Sequence, residues 1–282
     1  MSNDIKNEIF VRNYGVITPE EQQKLLQAKV TVVGAGGVGG ITLISLARMG
    51  VGHIHVIDMD VFEHSNINRQ MLSGVSRIGK SKAESAKETL LDINPDIHVT
   101  VSKEKFVEEN AVRLMEGSDV VIDATDNLVS RVIIHRAAQK AEIPSVWIAV
   151  TPPFRGGVMT FSSNTPPYEQ VLQHPSYQKE LTDDVMQDIT RIKLGRAQTS
   201  VEFGALGDWA DAFQAGKAPW AVLCPVANMV GLLASFEAFK IIVSREDLLP
   251  TYAPSLIKIN LANTEMVKVE TPAEGSWNNA YL

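Results

Sequence analysis

The residues best placed to do chemistry are a glycine run, an acid and a cluster of bases. In VTVVGAGGVGG, residues 30 to 40, Gly34, Gly36 and Gly39 form G-x-G-x-x-G directly after a β-forming stretch and open an apolar helix. Glycine lets the backbone approach phosphate oxygens closely, and the unpaired N–H groups of a helix N-terminus attract an anion. The next β-forming stretch, VGHIHVID, ends on Asp58, where a carboxylate can accept hydrogen bonds from ribose hydroxyls. The pattern points to a nucleotide, against the plainer alternative of a tight structural turn. By itself it does not separate NAD from ATP.

The residues that follow bear on that choice. MDVFEHSNINRQMLSGVSRIGKSKAESA places Asn66, Arg69, Gln70 and Lys82 in close succession after the acid. A dinucleotide has no general need of them, whereas a triphosphate does. When a phosphate chain is cleaved, negative charge grows on the leaving group, and fixed cations neutralise it. Taken singly, each base reads as a solvated surface charge; the set placed after this turn reads as a phosphate site. Further on, IDATDN puts Asp126 in the loop beyond a buried strand, where open α/β sheets bind their ligands. A carboxylate there can hold Mg²⁺ against phosphates, or cap the helix that follows. Asp123, deeper in the strand, is expected to bond to neighbouring backbone.

The elements that must carry these residues alternate. ITPEEQQKLLQAK predicts a helix with Thr18 as its N-cap, Pro19 at its first position and Glu21 completing a capping box. Strands are expected at VTVV, VGHIHVID, IHVTVSK, SDVVIDATDN and PSVWIAV, with helices at 38–49, KSKAESAKETLLDINP, VEENAVRLMEG and SRVIIHRAAQKAEI between them. Such alternation through residue 150 predicts an α/β fold, a doubly wound, mostly parallel sheet with helices on both faces. Beyond it RGGVMTF reads as an isolated strand, and NTPPYEQVLQHPSYQ as irregular chain. A helix capped by Thr182 follows, then the glycine-punctuated GALGDWADAFQAGKAPW and the apolar helix CPVANMVGLLASFEAFKIIV. SLIKINLANTEMVKVET predicts a C-terminal antiparallel hairpin. Residues 163–220 read as a long crossover segment too poor in apolar residues for a core of its own, and such segments are often functional.

Composition narrows the class. The 282 residues are 45% hydrophobic and 21% charged, as in globular proteins with a substantial core. A net charge of −7 makes nucleic acid an unlikely main partner. No uninterrupted apolar run approaches the roughly 20 residues of a bilayer span, and MSNDIKNEIFVRNYG lacks the apolar core of a secretory signal. Neither a membrane nor export is expected, which leaves the cytoplasm. The single cysteine, Cys224, allows neither an intrachain disulfide nor a multi-cysteine zinc cluster.

In order and spacing, GAGGVG, VIDMD, SNINRQ, GKSKAESA and ATDN resemble the ThiF/MoeB/HesA adenylyltransferases, relatives of the ubiquitin-activating enzymes. The resemblance is strongest from RNYG at 12–15 through IDATDN and returns at CPVANMVGLLASFEAFK. It implies one adenylation domain over 1–282 with a Rossmann-like sheet: an N-terminal helical arm at 1–28, a nucleotide-binding half at 29–150, and a crossover, dimer and substrate half at 151–282. Family members attack the α-phosphate of ATP·Mg²⁺ with a substrate carboxylate, often the C-terminal glycine of a ubiquitin-like protein, and release pyrophosphate. By that comparison Gly34, Gly36, Gly37 and Gly39 would cradle ATP, with Asp58 on the ribose. Asp60, Asn66, Arg69, Gln70, Lys82 and Asn127 would complete the ATP contacts, mainly to phosphates, and Asp126 would hold Mg²⁺. Arg12 would reach into a partner subunit's site, which implies a homodimer with shared sites. Arg12, Arg69, Lys82 and Asp126 are thus the candidate catalytic residues, acting by position and charge compensation.

The chain departs from the family's pattern in two places. The two C-x-x-C pairs that bind structural zinc in many members are absent, so no zinc is expected. The crossover segment also lacks the cysteine that many members use for a covalent link. Cys224 lies just outside it, at a helix start that can lower a thiol pKa; a small buried residue is the plainer reading. An acceptor attacking the adenylate directly would need no enzyme cysteine. His135, His174 and the pair His53 and His55 read as structural or exposed, since no third ligand accompanies the pair. Arg155 is a candidate contact for a substrate carboxylate. Tyr168, Tyr177, Trp209 and Trp220 either line a peptide groove or anchor the crossover. Competing functions are a tRNA-modifying adenylating dehydratase of the same family, an NAD-dependent oxidoreductase, and a non-catalytic half of a heterodimer. The acidic net charge weighs against the first, and the set Arg69, Lys82 and Asp126 against the last.

Overall fold

The computed structural model describes residues 8–282. Its centre is an eight-stranded sheet in the order β3-β2-β1-β4-β5-β6-β7-β8. The strands are β1 Lys29–Val33, β2 His53–Ile57, β3 His98–Ser102, β4 Val120–Asp123, β5 Ser145–Thr151, β6 Arg155–Phe161, β7 Leu256–Asn260 and β8 Val267–Glu270. Strands β1 to β5 are parallel, and β6, β7 and β8 extend the sheet antiparallel. The parallel strands are nearly continuous runs of buried Val and Ile, as expected where helices cover both faces.

The helices in chain order are α1 Pro19–Gln27, α2 Gly37–Met49, α3 Lys82–Ile93, α4 Glu108–Met115, α5 Leu128–Lys140, α6 Tyr168–Val171, α7 Asp183–Glu202, α8 Gly207–Gln214 and α9 Cys224–Val243. The expected capping box opens α1: the Thr18 N–H donates to Glu21 Oε2 at 2.8 Å, and the Glu21 N–H to Thr18 Oγ1 at 3.2 Å. On one face α9 packs against α2 and strands β4 to β6, and Thr42 Oγ1 of α2 donates to the Gly231 carbonyl of α9 at 3.0 Å. Helix α9 is long and apolar enough to cross a membrane by length and composition, although no uninterrupted apolar run of that length was expected. Its packing accounts for that character: Val226, Val230, Ala234 and Ala238 belong to the main hydrophobic core. Glu237, fully buried in the same helix, receives Thr160 Oγ1 at 3.0 Å and Lys240 Nζ at 2.6 Å.

Two expectations for the second half need correction, and one stretch left unassigned gains a helix. RGGVMTF is not isolated: β6 pairs with both β5 and β7, and so couples the parallel sheet to the C-terminal hairpin β7–β8. The glycine-punctuated stretch from Gly204 holds α8, which begins at Gly207 and buries Ala210. NTPPYEQVLQHPSYQ contains the short helix α6. Helix α7 is capped by Thr182 as expected, and runs to Glu202. The crossover docks on the sheet by pooling its few apolar residues with the sheet's own. Tyr168, Val171, Leu172 and Ile189 pack with Trp147, Met159 and Phe161.

Candidate active site

A cleft of about 830 Å³ opens at the carboxyl ends of β1, β2, β4 and β5. It lies where the strand order reverses between β1 and β4, the position at which open α/β sheets take ligands. The glycine turn forms its floor. Gly34 has φ +104°, and a Cβ there would lie 2.6 Å from the Ala124 carbonyl oxygen. A Cβ on Gly39 would lie 1.8 Å from the Gly34 oxygen, so α2 can start here only without side chains at these two positions.

Asp58 is fixed beside that turn. Its Oδ2 accepts the Ala35 N–H at 2.7 Å and its Oδ1 the Asp60 N–H at 2.9 Å. Burial pushes the carboxyl pKa up, and the two N–H bonds counter that rise. Each oxygen keeps a lone pair for a further donor.

Lys82, buried, stands at the first position of α3 and pairs with the exposed Asp60 at 3.0 Å. A cation at a helix N-terminus opposes the helix dipole. The two positive ends together favour an anion in the cleft. Asn66 is buried and caps its own turn, with Oδ1 accepting the Glu63 N–H at 3.1 Å. Half-buried Arg69 donates to the Ser65 carbonyl at 3.0 Å and to Asn68 Oδ1 at 2.9 Å, so no carboxylate among the described residues neutralises it. Gln70 is buried, and its Oε1 has no partner among the described residues.

Asp126 is exposed at the cleft wall and makes no ion pair or side-chain hydrogen bond among the described residues. The helix cap weighed for it belongs to Asn127, whose Oδ1 accepts the Ser130 N–H at 3.0 Å. Asp123 also differs from expectation. Its Oδ1 accepts the Thr125 N–H at 3.3 Å, but Oδ2 forms a fully buried ion pair with Arg131 Nε at 2.9 Å and meets His135 Nε2 at 3.3 Å. Arg131 further donates to the Thr125 carbonyl at 2.6 Å and the Ile148 carbonyl at 2.8 Å. That network holds the loop carrying Asp126.

Gly34, Gly36, Gly37, Asp58, Asp60, Asn66, Arg69, Gln70, Lys82, Asp126 and Asn127 therefore line one cleft. Gly39 stands behind the turn. Arg12 is exposed and does not line it. Cys224 is the first residue of α9, where Asn228 Nδ2 donates to its Sγ at 3.2 Å; it too is outside the lining. Arg155 lines a separate, smaller pocket. The candidate histidines bond within the fold. His55 bonds to Ser102 Oγ at 2.9 Å and His53 to Thr100 Oγ1 at 3.1 Å, while burial holds His174 down to about 3. Among the aromatics, Tyr168 stacks on His135, whereas Trp220 lines the cleft and donates to the Val150 carbonyl at 3.0 Å.

The residues that sequence reading missed come mostly from α7. Lys193 and Arg196, spaced to share a helix face, line the cleft. Arg196 donates Nε to the Asn279 carbonyl at 2.9 Å, and burial pushes its pKa down to about 10. Burial likewise lowers the pKa of Lys193, which Asp126 partly restores. Arg131 did carry a signal, lying four residues after Asn127 on the helix that begins at the cleft.

The fit to a magnesium triphosphate is tested by the donor set. Arg69 lacks a counter-ion among the described residues, Gly34, Gly36 and Gly37 line the cleft without side chains, and Gln70 Oε1, an unpartnered acceptor, suits a hydroxyl donor or the metal. No group of three or more His, Cys, Asp or Glu suited to a metal occurs among the described residues. Mg²⁺ needs no such cage, since it commonly takes one or two carboxylates with phosphate and water. The residues fit.

The ThiF family model matches residues 10–278. The chain is 40% identical over 145 residues to the probable adenylyltransferase/sulfurtransferase MoeZ of Mycobacterium tuberculosis, an alignment covering 51% of this chain and 37% of that one. It is 38% identical over 152 residues to the SAMP-activating enzyme E1 of Haloferax volcanii, covering 54% of this chain and 56% of that protein. The chain thus spans between about a third and just over half of the length of these curated relatives. Its fold is similar to that of E. coli MccB crystallised with ATP, with a TM-score of 0.71 at 20% identity, over 98% of this chain and 74% of that one.

Proposed function

The chain belongs to the ThiF family, and from that premise we propose that it adenylates a substrate carboxylate, the C-terminus of a ubiquitin-like protein or peptide, with release of pyrophosphate. One observation carries the reading: Asp58, Arg69 and Lys82 line a single cleft beside the glycine turn together with Asp126, which lies well beyond them in sequence. The activities for which the relatives are named point the same way.

In this account Asp58 accepts the ribose hydroxyls, and the N–H groups at the start of α2 face the phosphates. Arg69 and Lys82 meet the charge that grows on the departing pyrophosphate. Phosphate oxygens would replace Asp60 as the partner of the buried Lys82, and the exposed Asp60 would be left to water. Asp126, with Asn127 beside it, would hold Mg²⁺, which supplies charge neutralisation and orients the phosphate chain. A carboxylate oxygen of the substrate then attacks the α-phosphorus, the bond to the bridging oxygen of pyrophosphate breaks, and a mixed anhydride results. No strong base is required, because the attacking group is already an anion. An acceptor attacks the anhydride directly, without Cys224. We further propose that Arg12 completes the site of a second subunit in a homodimer, and that the protein works in the cytoplasm without structural zinc.

The test is exchange of labelled pyrophosphate into ATP with a panel of ubiquitin-like proteins and C-terminal peptides. Exchange that depends on Mg²⁺ and on a free C-terminal carboxylate supports the reading. Oxidation of a substrate with NAD, and no exchange with any member of the panel, would replace it.

A further inference from the structure

We propose that the pocket around Arg155 binds a small carboxylate, at a site outside the nucleotide cleft. This pocket, of about 130 Å³, lies between β6, β7 and the carboxyl end of α7. Arg155 is buried, yet no carboxylate among the described residues pairs with it. Its hydrogen bonds are all long: 3.4 Å to the Pro152 carbonyl, 3.3 Å to the Tyr281 carbonyl and 3.4 Å to Ser200 Oγ. Phe203 covers the guanidinium face at 3.7 Å, which leaves its edge as the route for a planar partner. Burial without a counter-ion pushes the Arg155 pKa down to about 10, only partly opposed by Glu202.

A buried cation of this kind is costly unless something neutralises it. The rest of the pocket points to an acceptor-rich ligand. Trp147 lines it and is fully buried, and its indole N–H has no acceptor among the described residues. Lys258 and Lys268 line it as well and share one carboxylate, Glu270, while Glu265 is exposed. Of these cations Arg155 alone is buried, and it alone has no ion pair among the described residues. A carboxylate meets a guanidinium edge with two parallel hydrogen bonds, and the pocket volume suits an anion of a few heavy atoms. Ala149 lines both this pocket and the nucleotide cleft, so the two sites share one strand. The proposal does not depend on adenylation.

Succinate is the probe. Calorimetry on the full chain should show saturable binding that R155Q weakens tenfold or more and that saturating ATP·Mg²⁺ leaves in place. In ¹⁵N-labelled wild-type protein, the Trp147 indole N–H resonance should shift along the same isotherm. Should R155Q fail to fold, the wild-type indole shift alone decides. An unmoved indole at high succinate, equal affinity in R155Q, or displacement by ATP·Mg²⁺ would each overturn the assignment.

Discussion

The two walls of the cleft hold their charges in opposite ways. On the glycine-turn side Arg69 leans only on neutral acceptors, Lys82 on an exposed acid, and Asp126 on no side chain. On the far side Arg131 is locked into Asp123 and two carbonyls, and Arg196 into Asn279, all buried. The first wall keeps its charge in reserve for a ligand. The second spends most of its charge on holding shape. Lys193 is the exception there, a cleft-lining base with no ion pair or side-chain hydrogen bond among the described residues, only the field of Asp126.

The comparison breaks first if substitutions in the two walls behave alike. Lys82→Ala and Asp126→Ala should each lower pyrophosphate exchange by about 10²-fold or more, near 3 kcal/mol of transition-state stabilisation. Chemical denaturation should meanwhile place both variants within about 1 kcal/mol of wild type, since each removes a group that is exposed or paired with an exposed one. The reverse signature is expected for Arg131→Met. It strands Asp123 as a buried carboxylate, so denaturation should show a loss of roughly 3–5 kcal/mol.

Acid sharpens the same distinction. His174 is buried within the crossover, with Nδ1 against Ser176 Oγ at 2.7 Å. Its folded pKa of about 3 lies below the ordinary 6.5, so between those values the unfolded chain binds the proton and the folded one does not. Stability is therefore lost as pH falls through that window, by at most about 1.4 kcal/mol per pH unit from this one group. His174→Gln should flatten the stability–pH curve there, read as urea midpoints between pH 4 and 6.5. The smallest effect is expected at Lys193. Replacing it with Gln should weaken ATP·Mg²⁺ binding severalfold and leave the urea midpoint in place.

What the sequence made legible follows from the same physics. The turn at Gly34 and Gly39 is dictated by backbone contacts that no side chain can satisfy, so it shows as glycine at fixed spacing. Asp58, Lys82 and Asp126 sit at strand ends or a helix start, which periodicity locates well. The α/β alternation placed the parallel half of the sheet, and the hairpin β7–β8 showed as two alternating runs. The far wall was hidden for a different reason. Lys193 and Arg196 reach the cleft because α7 docks through a few residues, such as Ile189, on a sheet face made by Trp147 and Phe161. Nothing local to α7 states that docking. Helix α8 hid behind its flanking glycines; β6 was legible as a strand, but its pairing with β5 and β7 was not, since no crossover helix follows it. Asp123 was read as bonding to backbone because its ionic partner, Arg131, becomes its neighbour only through the turn into α5.

The central claim is that this cleft takes a magnesium-bound triphosphate rather than a dinucleotide. Calorimetric titration of the wild-type chain with ATP, with and without Mg²⁺ and in competition with NAD, tests it most directly. The account predicts ATP binding that Mg²⁺ strengthens, that Asp126→Ala makes insensitive to Mg²⁺, and that excess NAD does not displace. Tight NAD binding that excludes ATP and ignores Mg²⁺ would contradict it.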